Sequence, residues 1–167
     1  LTEAGYPGGA GLPPVTLLYN TGELHKSIAE ALQAMWKKNL GVDITLTNQE
    51  TKVFLASRAQ GEFQIARASW VGDYADPMTF MDVFKDPTND AKYNNPAYNS
   101  LIEQAQATVD QTVRMTAMHT AEKMLFDEAV IIPIYFTTQP LVAQPYVKGY
   151  FWSVLGLADF KTAYIER

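Results

Sequence analysis

Val15-Thr16-Leu17-Leu18-Tyr19 runs directly into Asn20-Thr21-Gly22-Glu23. A short β-branched and apolar run predicts a strand, and it gives way at once to a helical period. Leu24, Ile28, Leu32, Met35 and Trp36 recur at that spacing. Asn20 and Glu23 are spaced as a capping pair at a helix start. Lys37 and Lys38 suit the negative end of a helix dipole, and Gly41 supplies the stop. Val42, Ile44 and Leu46 then alternate with Asp43, Thr45 and Thr47, the pattern of a half-buried strand. Asn48 is placed to cap a shorter helix through Val53, Leu55 and Arg58, ended by Gly61. Phe63 to Ser69 reads as the next strand. Strand, helix, strand, helix, strand is an α/β order, and a mixed β-sheet flanked by helices is the expected class.

Beyond Pro77 the pattern becomes helical. Phe80, Met81 and Phe84 form the apolar side of a helix that Pro77 can open. Residues 86–95 are polar and turn-rich, the composition of a surface loop. Pro96 opens a helix with Tyr98, Leu101, Ile102 and Ala105 on one face, and Asp110 caps another presenting Val113, Ala117, Met118, Ala121, Met124 and Leu125. Val130 to Phe136 is too apolar for a surface element, with Pro133 at an edge or bulge. Short extended pieces follow at Leu141–Val142, Tyr146–Val147 and Tyr150–Trp152. Leu1 to Pro7 reads as the last turn of a helix closed by Gly5, so the chain is expected to be a piece of a longer one.

At 167 residues, 47% hydrophobic and 19% charged, the chain is long enough for one cored domain, residues 1–167. Its 13 basic residues are scattered and the net charge is −5, which argues against a nucleic-acid surface. No window approaches the roughly 18 apolar residues of a membrane span. With no cysteine, disulfides, thiolate metal sites and a Cys nucleophile are excluded.

Catalytic patterns are sparse. There is no Gly-x-Ser-x-Gly elbow, no His-Glu-x-x-His and no phosphate-cradling glycine loop. His119 and Glu122 could share a helix face as metal ligands, but a solvated face explains them better. Asp73, Asp76 and Asp82 form a loose acidic cluster without the order of a calcium loop. A hydrolase or metal-dependent enzyme stays an alternative without a supporting motif. Ile65 to Pro77 is more informative. A strand signal runs into Ser69-Trp70-Val71-Gly72-Asp73, then meets Asp76-Pro77 at a helix start. Asp76 is the better placed of the two carboxylates to cap that helix, which leaves Asp73 to attract an ammonium group. Trp70 offers a flat wall beside it. Arg67 is a cation within an apolar strand, where it needs either a buried partner or an anionic ligand. Arg58 complements a helix end, and His25 lies in the first turn of a long helix, where a plain surface role also accounts for it.

At these residues the chain resembles the oligopeptide-binding members of the extracytoplasmic (family 5) solute-binding proteins that serve ABC transporters. The resemblance rests on Leu18-Tyr19-Asn20-Thr21, His25-Lys26, Met35 through Val42, Asn48-Gln49-Glu50, Ala66 through Pro77, Ile132 through Tyr135, and Pro145 through Gly149. It implies one lobe, the carboxy-terminal one, of a two-lobed type II periplasmic-binding-protein fold with a peptide enclosed between lobes. By position it implies that Asp73 meets the peptide ammonium and that the main chain of Ser69, Trp70 and Val71 pairs with the peptide. Arg67, Arg58 and His25 would meet its carboxylate at different peptide lengths. The implied partners are short peptides, the missing amino-terminal lobe and a membrane permease, with a monomer as the expected state and no nucleic acid. No cofactor, metal or catalysis is implied, and the location would be periplasmic, or lipid-anchored outside a single-membrane cell. A near relative that binds murein peptides shares most of these residues. Where the family commonly has Trp after Gln-Glu, this chain has Thr51, which implies a larger or wetter side-chain pocket. Gln144 also stands where a basic residue is usual.

Overall fold

The computed structural model describes residues 1–166. The chain packs as two compact units, Leu1–Ser69 with Pro87–Lys92, and Trp70–Asp86 with the chain from Tyr93 onward. Each has its own buried cluster.

The first unit is built from β1 (Val15–Asn20), α1 (Glu23–Leu40), β2 (Ile44–Gln49), α2 (Thr51–Gln60) and β3 (Ile65–Ala66). Its sheet is parallel in the order β2-β1-β3, with Val15 opposite Ile44 and Leu17 opposite Ile65. Leu17 and Tyr19 of the central strand pack with Ala29, Val42 and Ile44 on the α1 side. Leu18 and Asn20 point the other way, toward α2, where Phe54 and Ser57 are the buried residues. Burial on both faces is what a central parallel strand between helices requires.

Helix ends match the sequence reading at Gly41 and Gly61, both left-handed C-caps. Helix starts differ. α1 is capped by Gly22 with no side-chain bond, because Asn20 is held in β1 opposite Gln49. α2 is capped by Glu50, whose carboxylate accepts from the Lys52 amide at 3.0 Å, since Asn48 is still in β2. Val53 and Leu55 are exposed. Phe54 carries that helix's packing instead, so the buried stripe lies one residue off the predicted one.

The second unit holds α3 (Met78–Met81), running into a 3-10 turn at Asp82–Phe84, then α4 (Pro96–Ala107) and α5 (Gln111–Asp127). Met78 and Met81 join Tyr98, Ile102 and Ala105 of α4 and Ala117, Met118, Ala121 and Leu125 of α5 in one apolar cluster. The Asn95 and Asp110 side chains accept from the first amides of α4 and α5. Tyr98 is fully buried and donates to the Met81 carbonyl oxygen at 2.6 Å, tying α4 to α3.

The carboxy-terminal stretch departs most from expectation. Val130 to Phe136 forms no strand, and Ile132, Ile134, Tyr135 and Phe136 are exposed. A run of such composition becomes a buried strand only beside a sheet edge, and it makes no ladder bonds within the described chain. Farther on, β4 (Val147–Lys148) pairs antiparallel with β7 (Tyr164–Ile165), and β5 (Phe151–Trp152) with β6 (Ala158–Asp159). Parallel and antiparallel pairings thus occur in separate sheets of an α/β chain.

Candidate functional site

β3 is an edge strand, and the chain leaving it has no regular secondary structure. The sequence predicts a strand to Ser69; the ladder stops at Ala66, with one further bond from the Arg67 amide to the Leu18 carbonyl oxygen at 2.8 Å. The next acceptor along β1 on that side, two residues past Leu18, is the Asn20 carbonyl oxygen, and His25 Nδ1 lies 3.2 Å from it in place of the Ser69 amide. Among the described residues, no backbone hydrogen bond engages Ser69, Trp70 or Val71. All three are exposed, Val71 at 74%.

The next two residues are fixed from behind by α3. The Asp73 amide donates to Thr79 Oγ1 at 2.9 Å, and Thr79 is only 1% exposed. Gly72 sits so close to this helix that a Cβ there would lie 3.1 Å from Thr79 Cγ2 and 3.4 Å from Phe80 Cζ. The Asp73 carboxylate is exposed and has no hydrogen-bond or ion-pair partner among the described residues.

Asp76, three residues on, is its opposite. Its Oδ1 accepts from the Met78 amide at 2.8 Å, the capping role read from the sequence, and from Arg114 at 2.6 Å. The Arg114 hydrogen bond, then the Met78 amide, hold its carboxyl below the ordinary 3.8. Tyr74 donates to Asp82 Oδ2 at 2.8 Å; partial burial and that carboxylate push its phenol up to about 12, so it stays a proton donor at neutral pH. Thus the three aspartates of the loose acidic cluster have three different fates. Asp76 and Asp82 are consumed by structure. Asp73 is not.

The predicted cations all lie in the first unit. In a β2-β1-β3 parallel sheet the connections diverge between β1 and β3, and ligands of such sheets sit beyond the carboxyl ends of the strands there. His25 and Arg67 belong to those ends. His25 follows β1; its Nδ1 lies 3.2 Å from the Asn20 carbonyl oxygen, which only accepts, so Nδ1–H donates and Nε2 is left outward. Gly22 permits this, because a Cβ there would come to 2.9 Å from Nδ1. Arg67 is half-buried one residue past β3. Arg58 is placed differently, in the last turn of α2, stacked 5.4 Å from the Phe54 ring centroid and ion-paired with Asp90.

Thr79, Gly72 and Arg114 were not legible as site residues. The one local signal was a threonine set among Met78, Phe80 and Met81. Among the described residues no three potential metal ligands cluster, and His119 and Glu122 lie exposed on α5. A shallow depression of about 510 Å³ runs along that same helix face, past Met115, His119 and Lys123. No helix among the described residues is long and apolar enough to cross a membrane.

The chain is 38% identical to the oligopeptide-binding protein OppA of Bacillus subtilis over 99% of its own length and 31% of that protein. It is 46% identical to the periplasmic murein peptide-binding protein MppA of Escherichia coli over 90% of its length and 28% of that protein. It therefore spans less than a third of the curated relatives it matches. Among solved structures, the Escherichia coli murein tripeptide binding protein MppA superposes with a TM-score of 0.85 at 42% identity, covering 99% of this chain and 33% of that one. Haemophilus influenzae OppA, in complex with the peptide RPPGFSPFR, gives 0.80 at 35% identity, covering 99% and 33%. Residues 1–92 match the family model of the bacterial extracellular solute-binding proteins, family 5 Middle, and the chain belongs to that family.

Proposed function

We propose that this chain is part of one lobe, the carboxy-terminal lobe, of a larger monomeric protein that captures short peptides between two lobes and delivers them to a membrane ABC permease. No bond is made or broken in this role and no cofactor takes part. The whole protein would work in the periplasm, or lipid-anchored outside a single-membrane cell. The peptide main chain pairs with the unpaired amides and carbonyls of Ser69, Trp70 and Val71, as an added strand. That mode ignores side chains and so tolerates many sequences. Asp73 receives the peptide ammonium. Arg67, Arg58 and His25 meet its carboxylate at different peptide lengths, Arg58 while also ion-paired with Asp90.

One observation carries this reading: a carboxylate that is exposed and unpartnered among the described residues, two residues beyond a run of backbone that pairs with none of them. Calorimetry of the full-length protein with trialanine and N-acetyl-trialanine tests it. Asp73→Asn is expected to weaken trialanine binding at least about tenfold, as losing one partner of a desolvated charge pair does, and to leave the acetylated peptide little changed. Equal losses on both peptides would remove Asp73 from this role.

The murein-peptide alternative also has support, since identity to MppA is 46% against 40% to OppA of the same bacterium. Thr51, whose Oγ1 lies 3.4 Å from Asn20 Nδ2, gives the end of β1 a polar neighbour. Tighter binding of a murein tripeptide than of trialanine in the same calorimeter would favour it.

A further inference from the structure

We infer that Thr79 is a positioning residue for the ligand amine, acting through the Asp73 backbone. This deepens the peptide-amine reading of Asp73 and rests on it.

An exposed carboxylate with no partner is free to sample rotamers and backbone positions, and an anchor that wanders loses affinity to ordering cost. Among the described residues the Asp73 side chain has no hydrogen-bond or ion-pair partner, so the restraint they offer comes through its backbone. The structure supplies one such tether. Asp73 N–H ends on Thr79 Oγ1 at 2.9 Å, and that oxygen belongs to a side chain 99% removed from solvent on a helix packed into the unit's core. Met78 and Met81 on either side of Thr79 are buried in that core, so the oxygen cannot follow a moving loop.

A hydroxyl among methionines is otherwise unexplained. Burying one costs free energy unless it is hydrogen-bonded, and an apolar residue of equal size would fill the space as well. Among the described residues the Asp73 amide is the only hydrogen-bond partner Thr79 Oγ1 has. The methyl of the same side chain meets the face of Gly72, where a Cβ would crowd it at 3.1 Å. Thr79 therefore holds two consecutive residues of the strip from one side, its oxygen on the Asp73 amide and its carbon against Gly72. The opposite side of the strip is left for a ligand. Tyr74 with Asp82, and Asp76 with Arg114, close the same turn from further along through side-chain bonds that leave the Asp73 amide to Thr79.

The test uses the full-length protein and the same two peptides. Thr79→Val keeps shape and removes the oxygen. It is expected to weaken trialanine about tenfold, the scale of one hydrogen bond, while N-acetyl-trialanine binds as it does to the unaltered protein. Thr79→Ser should restore trialanine binding to within about twofold. Should the valine variant fail to fold, Thr79→Ser against Thr79→Ala gives the same contrast, since these differ by the oxygen alone. Equal weakening of both peptides by Thr79→Val, or none of either, overturns the inference. If instead the unaltered protein and Asp73→Asn both fail to distinguish the two peptides, the amine reading itself falls. If they distinguish them and the Thr79 variants do not matter, only the positioning role is lost.

Discussion

β1 and the strip from Arg67 to Asp73 have opposite backbones. Every residue of β1 is paired to β2, part of it also to β3, and Leu17 through Asn20 are buried. The strip has a ladder-like backbone bond at Arg67 and a tether at Asp73, and among the described residues no backbone bond engages Ser69, Trp70 or Val71 between them. An unpaired edge is a hazard for aggregation. A protein keeps one where pairing is reserved for something else. The strip limits the hazard by its brevity, and Gly72 and Thr79 hold one end of it flat against α3.

Three further measurements press on this contrast. The largest effect is expected in β1: Leu18→Ala should cost about 3 kcal/mol in urea unfolding, because a 4%-exposed side chain leaves a cavity between strand and helix. A loss below about 1 kcal/mol would mean that the central strand is not the rigid side of the comparison.

A medium effect belongs to Asp76, which ties the turn after the strip to α5. Its folded carboxyl lies below its ordinary value, so its contribution is complete above pH 3.8 and is lost as pH falls through the depressed folded value. Asp76→Asn should lower the melting temperature near neutral pH, and the gap to the unaltered protein should close on acidification below that value. A gap that stays constant down to strong acid would show that Arg114 does not hold this carboxylate.

The smallest effect is expected in the strip itself. Val71→Thr, at 74% exposure, should change unfolding free energy by less than about 0.5 kcal/mol and trialanine affinity by less than about twofold. A clear loss of affinity would make Val71 a side-chain contact, and main-chain pairing would no longer account for the strip.

What could be read early follows how far each interaction reaches along the chain. The Asp76 cap was legible because it bonds an amide two residues away, and the Asp110 cap for the same reason. Gly41 and Gly61 were legible as stops because left-handed backbone is a local demand. The length of β3 was not, since the next acceptor it would need on β1, the Asn20 carbonyl oxygen, is met by His25 from the following helix. Nor was the buried face of α2, where Val53, Phe54 and Leu55 are adjacent and period alone does not choose among them.

Taken alone, the order of residues settled the α/β alternation and the helix stops at Gly41 and Gly61, and it pointed to Asp73 among the acidic residues around it. Folding in three dimensions decided that Asp73 is unclaimed while Asp76 is claimed, because Arg114 lies 38 positions away. It also decided that Thr79 grips the strip, because only the turn through Gly72 brings a helix hydroxyl onto the Asp73 amide. Local pattern encodes what a residue prefers, and a partner distant in sequence decides what it is left free to do.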